Sequence, residues 1–189
     1  MGRGIYTLKY ISLKHLFCLV FAMILLGWSQ PLAFGQKGDQ NNDNNSVLKK
    51  RKAVHLYFSD RQMRFLAAEK QELLCDVDDV SLGKCILTAL IEGPQRNLVN
   101  TLPKGTELKA FFITDDGTAY VEFNDAVSRN HPGGVRSELL TVFAVVNSLT
   151  LNLSKVNRVQ ILIDGRQRET LAGHIAISDP FKANILLIR

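Results

Sequence analysis

The sequence predicts an α+β fold in which two helices pack on one face of a mostly antiparallel sheet. Three observations lead there. Apolar residues recur at helical spacing in two stretches, 82–90 and 139–149. Alternating, β-branched or aromatic runs fall before, between and after those stretches. The resulting order is strand, helix, hairpin, helix, hairpin, and helices gathered on one side of an antiparallel sheet satisfy it.

The chain opens with a stretch that reads as a secretory signal over residues 1–35. Arg3, Lys9 and Lys14 supply the positive start, and Leu16 to Trp28 supply an apolar run of about thirteen residues. That run is shorter than the roughly 20 residues needed to span a bilayer. Small residues at Ala33 and Gly35 set a cleavage site between Gly35 and Gln36. Membrane contact is expected only through this N-terminal segment, if it stays uncleaved. Residues 36–52 are polar and low in complexity, too poor in apolar side chains to fold, and read as a flexible linker.

Charge follows this division. The whole chain carries a net +5, but 1–35 holds three basic residues and no acid, and 36–52 holds five basic and two acidic. Residues 53–189 keep fifteen basic and sixteen acidic residues, a net of −1. A nucleic-acid-binding domain needs positive charge on its folded surface to displace counterions from phosphates, so nucleic acid is excluded as a partner.

The folded part is predicted as a single domain over 53–189. Ala53 to Phe58 alternates, with Val54, Leu56 and Phe58 on one side, and predicts a strand. A second short strand is expected around Arg64–Ala67. Asp78 or Asp79 caps the first helix, because a carboxylate accepts hydrogen bonds from the free N–H groups of a first turn. Leu82, Cys85, Ile86, Ala89 and Leu90 share its buried face, Gly83 and Lys84 its exposed side, and Gly93-Pro94 ends it. Leu102 to Thr106 reads as a tight turn.

Leu108–Ile113 and Thr118–Phe123 predict a hairpin through Asp115-Asp116-Gly117, with a primed turn that needs a residue tolerant of positive φ. The second helix is predicted over Val135–Leu151, with Leu139, Val142, Phe143, Val146 and Leu149 as its buried stripe. Asn147 lies beside that stripe and needs a polar partner. Val159–Ile163 reads as a buried strand, and Glu169–Leu171 as its return after the Asp164-Gly165 turn. The tail Ala183–Ile188 reads as an edge strand or an exposed apolar end.

No catalytic constellation emerges. His15 lies in the leader, His55 on the polar side of the first strand, and His131 and His174 in loops, and no pair has the helical spacing of a metal site. The acidic cluster Asp115, Asp116, Glu122 and Asp125 lacks the regular offsets of a calcium loop. Asp76, Asp78 and Asp79 suit a helix start. Catalytic, cofactor and metal residues are therefore expected to be none. Cys75 and Cys85 are the thiols left after cleavage. An exported domain favours a disulfide between them; two free buried thiols fit a reducing setting.

The motifs from about Ala53 to Ser178 resemble the GerMN domain of exported sporulation and spore-germination proteins. The resemblance is carried, in order, by Leu87 to Pro94, Leu102 to Thr106, Asp116 to Phe123 and Gly133-Gly134. It continues through Glu138 with Val145 to Thr150, then Val159 to Gly165 and Glu169 to Ile175. It implies a fold similar to ring-building modules. It also implies an exported, non-enzymatic domain that acts by contact with an envelope protein or by self-association. The chain departs from many relatives in lacking an acylated cysteine after the signal, and from several in having no internal repeat. Two further functions remain: an accessory factor on peptidoglycan, tested first at Asp164, Glu169 and His174, and a ligand-binding protein using the exposed sheet face.

Overall fold

The computed structural model describes residues 49–189. The leader, the Gly35–Gln36 cleavage site and all but the end of the linker lie outside the described residues. The chain runs β1 (Lys50–Ser59), β2 (Leu66–Cys75), α1 (Asp79–Glu92), β3 (Leu108–Ile113) and β4 (Thr118–Phe123). It continues through a short α2 (Ala126–Arg129), α3 (Val135–Thr150), β5 (Arg158–Ile163) and a 3-10 turn at Ile185–Leu187. This is an α+β fold.

Its strands divide into two sheets. β1 and β2 form a ten-residue antiparallel ribbon, with Lys50 opposite Cys75 and Ser59 opposite Leu66. The other sheet has the order β3-β4-β5. The second edge of β1 meets side chains of α3 and of the turn that follows it rather than the other sheet. The Tyr57 N–H donates to Ser148 Oγ at 3.0 Å, and Asn152 binds the His55 N–H at 2.9 Å and its carbonyl at 2.8 Å. β3 and β4 are antiparallel, but β5 joins β4 in parallel. The chain between them passes through α2 and α3, which is the crossover a parallel pair requires.

Several boundaries differ from the sequence reading. β1 begins at Lys50, so Lys50 to Lys52 leave the linker and pair with Leu73 to Cys75. The second strand starts at Leu66 rather than Arg64. The Asp60 carboxylate accepts the Arg64 and Phe65 N–H groups at 2.6 and 3.0 Å, which makes 60–65 a turn. Glu169–Leu171 is no strand. It makes one isolated bridge, Thr170 to Ala176, with the Leu171 N–H on the Ile175 carbonyl and the Ile177 N–H on the Glu169 carbonyl. The pairing ends there because the chain turns at 172–174, where the Glu138 side chain takes the Ala172 and His174 N–H groups. The tail coils into the 3-10 turn, and only Ile188 bridges to Leu66.

The predicted primed turn is corrected too. Gly117 alone takes positive φ (80°), after Asp115 and Asp116 in ordinary turn conformations. A Cβ there would also press on Asn157 and the Lys155 carbonyl.

One core cluster joins both sheets and both long helices, with Leu56 and Phe58, Ile86 and Leu90, Val121 and Phe123, Leu140 and Leu149, and Ile161 all buried. Each such side chain contributes about 1.5–3 kcal/mol relative to exposure. Asp78 caps α1, accepting the Ser81 N–H at 2.8 Å. Asn147 finds its partner in the tail, accepting from the Asn184 N–H at 2.9 Å and donating to its carbonyl at 3.1 Å. Gly83 is buried rather than exposed, because the Phe111 ring lies against it.

Candidate functional site

The first turn of α3 carries the densest polar arrangement. Glu138 faces inward and is fully buried. Its Oε2 accepts the backbone N–H groups of Ala172, His174 and Ile175 at 3.1, 3.0 and 2.9 Å. Its Oε1 lies 2.7 Å from His174 Nδ1. Burial alone would raise the pKa of this carboxyl. The Ile175 N–H, the His174 ring and the His174 and Ala172 N–H groups outweigh it and hold the pKa at about 2. Glu138 therefore stays ionised and pins the 171–175 loop to the helix.

His131 stands beside it. Its Nδ1 accepts the Gly133 N–H at 3.0 Å, and its Nε2 meets Thr141 Oγ1 at 2.9 Å. An accepting Nδ1 requires the neutral ring. Desolvation lowers the His131 pKa, with the Glu138 charge opposing it.

A histidine held by a carboxylate can serve as a base, but only with a nucleophile or substrate in reach of its free nitrogen. Among the described residues, the bonds of Ser137 Oγ run to the carbonyls of Gly133 and Gly134, not to His174. The three residues singled out for a wall-directed activity do not assemble. Asp164 is exposed in a left-handed turn (φ 48°), Glu169 is exposed, and His174 belongs to Glu138.

Two other carboxylates follow the same rule. Glu69, buried on β2, accepts the Gln95 and Arg96 N–H groups at 2.9 and 2.8 Å and the Gln71 amide at 2.6 Å. Burial pushes its pKa up, but those three donors bring it below the usual range. Asp116 takes the Thr114 hydroxyl, then the Thr118 hydroxyl and N–H, and pairs with Arg158, which together hold it well below the usual carboxylate range. A cavity of about 610 Å³ opens beside this turn, lined by Asp78, Asp79, Asp115, Asp116, Lys155 and Asn157 among others. Among the described residues, no group of three His, Cys, Asp or Glu side chains could hold a metal ion.

Cys75 at the end of β2 and Cys85 in α1 form a disulfide, with their Cα atoms 6.4 Å apart. On the outer face of β3-β4, Phe112 and Tyr120 stack with ring centres 4.8 Å apart, and Phe112 remains 45% exposed. Sequence reasoning missed this pair, although Phe112 and Phe111 must point to opposite faces of one strand. It also missed Glu69, whose only signal is that it shares strand parity with Gln71 and Leu73.

Solved structures with similar folds come from Clostridium perfringens and Bacillus subtilis. A candidate lipoprotein from Clostridium perfringens is 28% identical, with a TM-score of 0.51 over 71% of this chain and 87% of that one. The tandem GerMN domains of the sporulation protein GerM from Bacillus subtilis are 22% identical, with a TM-score of 0.59 over 70% of this chain and 46% of that one. The first GerMN domain of the same protein gives 21% identity and a TM-score of 0.54, over 69% of this chain and 97% of that one. The two GerM comparisons show the fold. No curated protein matches the chain. The family model Germane, described as sporulation and spore germination, matches residues 46–169. The chain belongs to the Germane family.

Proposed function

We propose that this protein is an exported domain that acts by protein contact in the bacterial cell envelope, in sporulation or germination, and catalyses no reaction. The observation that carries the reading is the contrast between its polar and apolar groups. Glu69, Asp116 and Glu138 commit their oxygens to N–H and O–H groups of their own folds. Meanwhile the stacked Phe112 and Tyr120 stand on an open sheet face, and β3 is paired on one side only. Exposed aromatic side chains beside a free strand edge suit a contact surface. Membership in a sporulation and germination family supports the setting, and the similar Clostridium candidate lipoprotein supports export.

The test is in-cell cross-linking from a photoreactive residue at position 112, followed by mass spectrometry. Capture of a defined envelope protein, or of a second copy, is the expected result. Capture of background alone, with cross-linking from an exposed control position no different, overturns the reading. A second function, binding of peptidoglycan fragments, is favoured by a polar cavity of about 550 Å³ lined by Gln167, Arg168, Glu169 and Thr170. Thermal stabilisation by muropeptides, lost in Glu169→Ala, would select it.

A further inference from the structure

Four arginines from three parts of the chain meet at the β1–β2 turn, two of them over the Phe65 ring. The β1–β2 turn supplies Arg61 and Arg64, the first turn of α3 supplies Arg136, and the tail supplies Arg189. Arg136 Nη1 donates to the Arg64 carbonyl at 3.0 Å. The guanidinium carbons of Arg189 and Arg64 lie 4.8 and 5.8 Å from the centre of the Phe65 ring. All four arginines are exposed. The Arg189 N–H donates to the Leu66 carbonyl at 2.9 Å, which fixes the tail beside the turn.

This gathering runs against the charge of the folded part, which is close to neutral. Asp60 pairs with Arg64 at 3.6 Å, and its carboxylate already serves the turn. Among the described residues, no ion pair engages Arg61, Arg136 or Arg189. Like charges brought together repel, and an anionic partner relieves that repulsion. Guanidinium groups suit phosphate in particular, because their planar forks donate two hydrogen bonds at once.

Exposed apolar side chains on two of the same segments favour one kind of anion. Val135, next to Arg136, is 59% exposed, and Leu186, three residues before Arg189, is 84% exposed. A soluble polyanion gains nothing from them. A bilayer interface accepts both kinds of group, with cations at the headgroups and aliphatic chains at the acyl boundary. We propose that the face formed by Arg61, Arg64, Arg136 and Arg189, with Val135 and Leu186, docks on a bilayer bearing anionic lipid headgroups. It would keep the domain at the membrane after loss of its leader. This surface is independent of the protein contact proposed above.

The test uses residues 36–189, which retain every described residue and the whole core cluster. Co-sedimentation is measured with phosphatidylcholine vesicles, and with an equal mixture of phosphatidylglycerol and phosphatidylcholine. Binding to the mixture alone, weakening as salt rises, is expected. Replacing all four arginines by glutamine should weaken it by about fivefold per arginine, while lysine replacements keep most of it. Leu186→Ser should weaken binding with the salt dependence unchanged. If the glutamine variant does not fold, Arg61→Gln and Leu186→Ser carry the test, since both side chains are exposed.

Equal binding to both vesicles, or binding to neither, overturns the proposal. So does a folded glutamine variant that binds like the parent. If Leu186→Ser changes nothing and soluble polyphosphate displaces the protein, the partner is a soluble polyanion, and the membrane assignment is overturned.

Discussion

His174 and Glu138 stand 36 residues apart in sequence, yet their side chains meet at 2.7 Å. The contact closes a loop that has no strand of its own. Glu138 takes three backbone N–H groups from 172–175, so one carboxylate does for this segment what a β-ladder does elsewhere.

That arrangement predicts the cost of removing the carboxylate. Glu138→Ala leaves a buried gap and releases three N–H donors, two of them half-buried, and should destabilise the domain by about 3 kcal/mol. Glu138→Gln preserves the volume and can keep its oxygen on the three N–H groups, but it removes the charge that strengthens those bonds and turns its amide toward His174 Nδ1, and should cost about 2 kcal/mol. Urea denaturation measures both. His174→Ala should cost less than either, because the N–H bonds to Oε2 survive it.

Acid should act in two stages. Desolvation lowers the His131 pKa from 6.5, so the unfolded chain binds a proton more readily there, and stability begins to fall once pH drops below about 6.5. The Glu138 pKa is lowered from 4.5 to about 2, so its contribution is present above about 4.5 and is lost as pH falls toward 2. Glu69 and Asp116 act in the same direction as Glu138. Urea midpoints taken from pH 8 to pH 2 should show both declines. His131→Gln should flatten the upper one and Glu138→Gln the lower one; an unchanged profile in either variant removes that residue as the cause.

What the sequence reveals depends on whether a residue's neighbours are near in sequence. The Asp78 cap, the buried stripes of α1 and α3 and the 108–123 hairpin all rest on contacts within a few residues, and periodicity exposes them. Asn147 announces its need for a partner by lying beside an apolar stripe, but not that Asn184 meets it. β2 hides itself because Glu69 and Gln71 occupy its inward face, where alternation would place apolar side chains. Glu138 is marked in the sequence only by the family resemblance, because the N–H groups that hold it inward lie more than thirty residues away. The arginine face is assembled from three distant segments and leaves no local pattern.

The Cys75–Cys85 disulfide joins the end of the β1–β2 ribbon to α1 across a separation of ten residues. A loop of that size contributes about 2–3 kcal/mol by restricting the unfolded chain. Reduction, or Cys75→Ser with Cys85→Ser, should lower the thermal midpoint without loss of the fold, since the core on either side is intact. Circular dichroism with and without reductant measures this. A midpoint insensitive to reductant in the parent would mean that the bridge does not form in solution.

Gly83 tests how α1 sits on the three-stranded sheet. It is buried in the middle of a helix, where alanine would ordinarily gain about 1 kcal/mol from propensity. A Cβ at this position would overlap the edge of the Phe111 ring, which is itself buried between helix and strand. Steric overlap in a packed core costs about 1–3 kcal/mol, enough to reverse the propensity gain. Gly83→Ala should therefore destabilise, by an amount that calorimetry resolves. Phe111→Leu should destabilise through the volume it removes. In the double variant the alanine methyl occupies space the ring has left, so the two effects should sum to clearly less than their separate costs. Additive costs would show that Gly83 and Phe111 are not in contact, and that α1 approaches the sheet by a different face.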